Sequence, residues 1–343
     1  MNPEVTAYIS TKDREHATLP LAVVSIALQT YKPKKLIIYD DGKHLDLRED
    51  PVWKGIFQLL LAKDIAWTVS FGEGKGQVLN HQRAIKEVET PWLFRIDDDN
   101  ILEPDVLEKL VSNITDKTGA VGGVVLHPYQ QIQNLPDWFT YNKIEDCELP
   151  TYQNIQWYRH PDRKVKSVDH LYSTFIYRKE ASKHGYCMEL TPVGNREETL
   201  FTYEMKRSGW DLLVDPTAVT WHSRYKSGGI RGDSHTRWAF EHDSQIFLNR
   251  LKDYGVKLTK LVVLNNGLGD HIVFKKVLQK LKLKHKRIVI ACCYPDVFKD
   301  EDVTLISIAQ ANCNLDDYNL YKFMWDRDWK NTLEVAYEAM YLD

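Results

Sequence analysis

The chain has 343 residues, 43% hydrophobic and 27% charged, the make-up of a folded protein with room for two or more cores. Its net charge of −3 excludes a global basic field for nucleic acid and leaves only local clusters such as KLKLKHKR, residues 280–287. No stretch approaches the ~20 apolar residues of a membrane span.

The opening MNPEVTAYISTKDREH lacks the basic start and apolar core of a secretory leader. Within it EVTAYIST is a β-rich run, and apolar positions then recur at helical spacing up to Tyr31. KKLIIYDDG reads as a second strand, stopped by Gly42 after Asp40 and Asp41. Asp50 followed by Pro51 predicts an N-cap and first helical position for the helix DPVWKGIFQLLLAKD. A third strand (IAWTVSFG), a third helix (KGQVLNHQRAIKEVE) and a fourth strand (WLFRIDDDN) follow. This alternation predicts an α/β fold with a doubly wound, mostly parallel sheet. Ligands of such sheets sit beyond the carboxyl ends of the strands. Asp40–Asp41 and Asp97–Asp99 both fall at those ends and are expected to face one crevice.

From about Asn113 the pattern changes. GAVGGVVLHP is a Gly-punctuated strand, and an irregular section follows that holds Tyr129, Trp138, Phe139, Tyr141, Tyr152, Trp157 and Tyr158. SVDHLYSTFIYRKEA returns to strand character, REETLFTYEMKRSGW predicts a helix closed by Gly209, and DLLVDPTAVTWHS a strand pair. RYKSGGIRGDSH is a Gly-rich basic loop, with a charged helix from Thr236 to Tyr254 behind it. A new βα unit opens near Lys257, which places a domain boundary between residues 1–256 and 257–343. Five cysteines, two of them adjacent at Cys292 and Cys293, suit neither a disulfide framework nor a zinc knuckle. Reduced thiols in a cytoplasmic protein are the expectation.

Three consecutive aspartates at the end of a buried strand repel one another unless something positive sits among them. On residue type alone they read either as a solvated turn with a helix cap or as a divalent-metal site. Alternation along a strand sends Asp97 and Asp99 to one side and Asp98 to the other. Asp40, Asp41, Asn80 and Arg83 each have a bland reading as turn residues, a helix cap and a surface cation. A lone His222 at a strand end is more often structural than a ligand.

Taken in order, TAYISTKDR, YDDG, GQVLNHQRAI, RIDDDN and REETLFTYEMKRSGWDLLVDPTAVTWH resemble the family 2 glycosyltransferases, over roughly Val5 to Arg224. The resemblance implies the GT-A fold and a nucleotide-sugar donor, most often a uridine diphosphate sugar. It places Thr6, Ser10, Arg14, Asp40, Asp41, Asn80 and Arg83 around the nucleoside. It makes Asp97 and Asp99 the two acids of a DxD motif, with His222 completing the sphere of a Mn2+ or Mg2+ ion, and sets Asp98 beside them. Arg224, Lys226 and Arg231 would fold over the pyrophosphate. Glu197 and Glu198 resemble the acidic pair whose second member is the general base of an inverting transfer to an acceptor hydroxyl. Adjacent helical residues point about 100° apart, so only one of the two can face the acceptor. The pair is Glu-Glu here where Glu-Asp is usual, one methylene longer at Glu198.

Two other readings share this core: a sugar-nucleotide nucleotidyltransferase, whose Gly-rich basic start is missing from YISTKDREH, and a non-catalytic sugar- or nucleic-acid-binding module. The acceptor stays open among a glycan, a lipid-linked glycan, a protein and a modified nucleic-acid base, as does homo-oligomerisation. LVVLNNGLGDHIVFKKVLQKL resembles the first βα unit of GT-B heptosyltransferase-like proteins, with too little chain after it for a second lobe. A small α/β appendage for acceptor binding or assembly is the expectation there.

Overall fold

β1 (Val5–Thr11) is buried along nearly its whole length, which requires neighbours on both sides and cover on both faces. The structure, a computed structural model, describes residues 3–127, 143–149, 163–225, 227–230, 236–311 and 313–342. Helices α1 (Leu19–Ala27), α2 (Pro51–Ala62) and α3 (Gln77–Glu87) alternate with β1, β2 (Lys35–Asp40), β3 (Ala66–Phe71) and β4 (Trp92–Asp97). The four strands are parallel, in the order β3-β2-β1-β4. Their register sets Thr11 beside Asp40 and Ser10 beside Asp97, so three carboxyl ends deliver polar side chains to one edge.

The helix starts follow local chemistry. Asp50 accepts hydrogen bonds from the backbone N–H groups of Val52 and Trp53 at 2.8 and 3.1 Å, with Pro51 at the first helical position. α1 stops at Ala27 instead of running to Tyr31. Beyond it the Gln29 amide is held by the Ser25 and Glu103 carbonyls and the Leu107 N–H. Trp53, Ile56, Phe57 and Leu60 turn the apolar face of α2 into the core beside α1 and the sheet. Burying such a side chain stabilises by roughly 1.5–3 kcal/mol each.

The sheet then becomes mixed. β5 (Asn100–Leu102), α4 (Val106–Ser112), β6 (Thr118–Leu126), β7 (Lys166–Ser167), β8 (Phe175–Arg178), α5 (Glu197–Arg207), β9 (Asp211–His222) and α6 (Thr236–Asp253) complete this unit. Antiparallel β8 joins β4 to β6, and the order continues β4-β8-β6-β9-β5. The expected strand pair at 211–223 is one bulged strand. Its register against β6 jumps from Gly123–Asp215 to Val124–Val219, leaving Pro216 to Ala218 outside the ladder. Pro216 has no N–H to give a ladder. Asp215 instead accepts the Thr217 N–H and hydroxyl. Gly123 makes the bulge possible, because a Cβ there would lie 2.2 Å from the Ala218 carbonyl oxygen. Beyond the bulge β9 pairs with β5, setting His222 opposite Asn100 at the end of the acid triplet.

The second unit comprises the chain from Lys252 together with residues 143–149. Its sheet has three parallel strands, β10 (Lys260–Leu264), β11 (Ile288–Cys292) and β12 (Thr304–Ile306), in that order. α7 (Leu268–Lys284), α8 (Ile308–Ala311), α9 (Leu320–Trp325) and α10 (Leu333–Tyr341) accompany it. Phe274, Val277, Leu278 and Leu281 of α7 bury against Val262 and Ile290, with Tyr337 and Tyr341 of α10. The expected boundary at 256/257 missed residues 143–149. There the Thr259 hydroxyl donates to Asp146, and Leu149 packs with Val263 and Ala291. A segment arriving from mid-chain leaves no mark in the local pattern. Among the described residues no helix is long and apolar enough to cross a membrane.

Candidate active site

Asp97 is the last residue of β4, and the chain turns at Asp98 and Asp99 before β5. Alternation therefore ends at Asp97, and the expectation that Asp98 points away is corrected. All three acids line one cleft with Ser10, Thr11, Arg14 and His222. Asp98 accepts the Thr11 hydroxyl at 2.8 Å and Arg14 Nη1 at 2.6 Å. Asp99 Oδ2 lies 2.9 Å from the same Arg14 nitrogen, and its Oδ1 lies 3.1 Å from His222 Nε2. Asp97 takes the Ser173 hydroxyl at 2.8 Å, with Arg95 Nη2 at 3.5 Å from its other oxygen.

Burial pushes the Asp98 carboxyl up against the pull of Arg14. Burial acts on Asp99 too, but the His222 contact and Arg14 outweigh it and hold that carboxyl below its ordinary value. His127 lies beside His222, ring centroids 5.2 Å apart, and burial, followed by Arg224 and His222, takes its imidazole down to about 4.

The nucleoside residues implied by the resemblance divide. Ser10 lines the cleft and accepts from the buried Asn80 amide at 3.0 Å. Asp41 lines it and takes the N–H groups of Gly74 and Gly76 at 3.2 and 2.5 Å, ordering the turn into α3. Gly76 has a φ of +92° and passes Pro192 so closely that a Cβ would lie 2.4 Å from its carbonyl oxygen. Asp40 caps its own turn through the Gly42 N–H at 2.8 Å. Thr6 is corrected: it sits at the amino end of β1, bonded to Thr90, away from the end where a ligand would lie. Arg83 is also corrected. It pairs with Glu87 and donates to the Ser70 hydroxyl and Phe71 carbonyl, so it braces β3. The α3 residues that do line the cleft are Gln77 and His81, one helical turn apart. Spacing from Asn80 could have found that face. Lys12 and Tyr172 line the cleft as well and carried no sequence signal. Arg224 has a left-handed backbone, φ +49°, and is not among the described lining residues. Lys226, Arg231 and the aromatic residues Tyr129, Trp138, Phe139, Tyr141, Tyr152, Trp157 and Tyr158 lie outside the described residues.

Neither Glu197 nor Glu198 is among the described lining residues. Glu197 is fully buried and gripped by Arg95, Nη1 to Oε2 at 2.8 Å and Nη2 to Oε1 at 2.6 Å. Its catalytic assignment is corrected, since the Arg95 guanidinium takes both carboxylate oxygens. Burial drives the Glu197 carboxyl up and Arg95 opposes it. Tyr186 and Phe175 pack around the pair. Glu197→Gln leaves a buried guanidinium without its counter-charge and is expected to cost about 3–5 kcal/mol of stability. Urea denaturation measures it, and an unchanged midpoint would contradict the role given to the pair.

A parallel half-sheet with an acid triplet at its carboxyl edge, continued by a mixed half that carries the histidine, defines the GT-A glycosyltransferase class. The model for glycosyl transferase family 2 matches residues 6–184, more than half of the sequence, and the chain belongs to that family. Its fold is similar to that of GalNAc-T7, solved with UDP, GalNAc and Mn2+, at a TM-score of 0.53 and 14% identity over 74% of this chain and 50% of that one. It is also similar to the mannosyltransferase PcManGT from Pyrobaculum calidifontis, solved with GDP-Man and Mn2+, at 0.51 and 15% over 74% and 65%. The chain thus spans between half and just under two-thirds of their lengths. No curated protein matches this sequence.

The donor set can be tested against a divalent cation. Among the described residues no three His, Cys, Asp or Glu side chains are grouped to hold one. Two are already in contact. Neighbouring ligands of an octahedral ion at ~2.1 Å are ~3.0 Å apart, so Asp99 Oδ1 and His222 Nε2, hydrogen-bonded at 3.1 Å, could take one ion between them with little movement. A hard oxygen with an imidazole suits Mn2+, and Mg2+ less well. The residues fit a cation whose remaining ligands come from elsewhere.

Proposed function

We propose that this protein transfers a sugar from a nucleoside diphosphate donor to an acceptor hydroxyl. Asp99 and His222, with Asp97 beside them, hold a divalent cation, and Glu198 is the general base of an inverting displacement. The carrying observation is the Asp99–His222 pair at 3.1 Å on the carboxyl edge of the sheet. When bound, Mn2+ or Mg2+ would neutralise the donor diphosphate and favour its departure. Ser10, Asp41 and Gln77 line the cleft where the nucleotide would lie. Ser173 and Arg95 hold the Asp97 carboxylate that lines it. Glu198, at the first turn of α5, has a helix N-terminus to favour its ionised form. The two similar structures carry different nucleotides, UDP in one and GDP-Man in the other, and both carry Mn2+. The base is therefore put to experiment. Thermal unfolding with Mn2+ and either UDP-sugars or GDP-sugars should show a rise in Tm for one base, and only when the ion is present. A nucleotide that stabilises equally in excess chelator would overturn the metal-dependent part of this reading.

A further inference from the structure

Arg14 does more in this cleft than line it. Its Nη1 bridges Asp98 and Asp99 at 2.6 and 2.9 Å, its Nη2 donates to the Tyr225 carbonyl at 3.0 Å, and its side chain is 11% exposed. The loop after His222 is shaped around it. Gly228 and Gly229 have φ near +70°, and Cβ atoms there would lie 2.9 Å from Arg14 Cγ and 2.8 Å from Nη2. Arg14 Nε is buried with no hydrogen-bond partner. The guanidinium is thus packed in place as the counter-charge of the acid pair.

We infer that Arg14 is a positioning residue that acts as a tethered rival of the divalent cation, so that the ion binds the donor-free cleft weakly. This rests on the metal-site reading above. Arg14 holds Asp99 Oδ2 while Oδ1 turns to His222. An ion on Oδ1 would sit on the order of 5 Å from the guanidinium, where like charges in a partly buried site repel strongly. The negative charge of an arriving diphosphate offsets that repulsion. Ion and donor are then coupled, each raising the affinity of the other by the same factor.

The test is Mn2+ binding without any nucleotide, followed as loss of the free-ion EPR signal. Arg14→Gln should bind Mn2+ more tightly than wild type by roughly 5- to 150-fold, the usual span of coupled sites. Gly229→Ala keeps the charge but crowds Nη2, which bonds the Tyr225 carbonyl, so the guanidinium must shift with the Nη1 that holds the acids, and binding should tighten in the same direction. This second variant decides the matter if Arg14→Gln does not fold. Unchanged or weaker Mn2+ binding in a folded variant would overturn the inference. Asp99→Asn is the control that separates the two ideas. If it binds Mn2+ as well as wild type, the metal-site reading fails, and the rivalry fails with it.

Discussion

Glu198→Gln is expected to lower turnover by ~10²–10⁴-fold, the usual consequence of losing a general base, with donor affinity near that of wild type. The substitution keeps size and removes the charge and one acceptor oxygen, and with them the basicity. The two acids that open α5 are not equivalent. Glu197 accepts from Arg95 with both oxygens and is fully buried, whereas Glu198 keeps 7% exposure. Glu198 lies about 100° further round the helix. Because a base acts on the acceptor in the transition state, its loss should appear in kcat while donor binding is spared. The companion variant separates chemistry from folding: Glu197→Gln should show its damage as lost stability. A Glu198→Gln enzyme with wild-type turnover, beside a folded but inactive Glu197→Gln, would move the base to Glu197.

Elements whose chemistry is local could be read from the sequence. Asp50 and Pro51 mark the start of α2, and short β-rich apolar runs mark β1 to β4, with helical patterns between them. Parallel order then follows, and with it the edge where Asp41 and Asp97 meet. The acid triplet was legible as a site but not in its orientation, because the strand ends at Asp97 and the turn carries Asp98 into the cleft. Pairings between distant residues were not legible at all. Arg14 and Asp98 are 84 positions apart, Arg95 and Glu197 are 102, and neither member of a pair announces the other. On α3 the cleft face carries Gln77 and His81, whereas the long side chain of Arg83 reaches back to β3. The strand pair expected over 211–223 is a single strand, because Gly123 leaves space for a bulge that keeps it whole.

Asp99→Asn bears most directly on the central claim, that Asp99 and His222 hold the cation on which a nucleoside diphosphate donor depends. The change is isosteric, and Asp98 keeps its own contacts with Arg14 and Thr11, so the variant should fold, with Tm lowered by the loss of the Asp99 charge beside Arg14 and His222. The measurement is nucleotide release from the donor, followed with Mn2+ present at a temperature where wild type and variant are both folded. Asp99→Asn should lose more than ~100-fold, beyond what removing a mere supporting partner of a ligand costs. Excess chelator should reduce the wild type to the same level. A folded Asp99→Asn protein that turns over donor at the wild-type rate, or a wild type fully active in excess chelator, would contradict that claim.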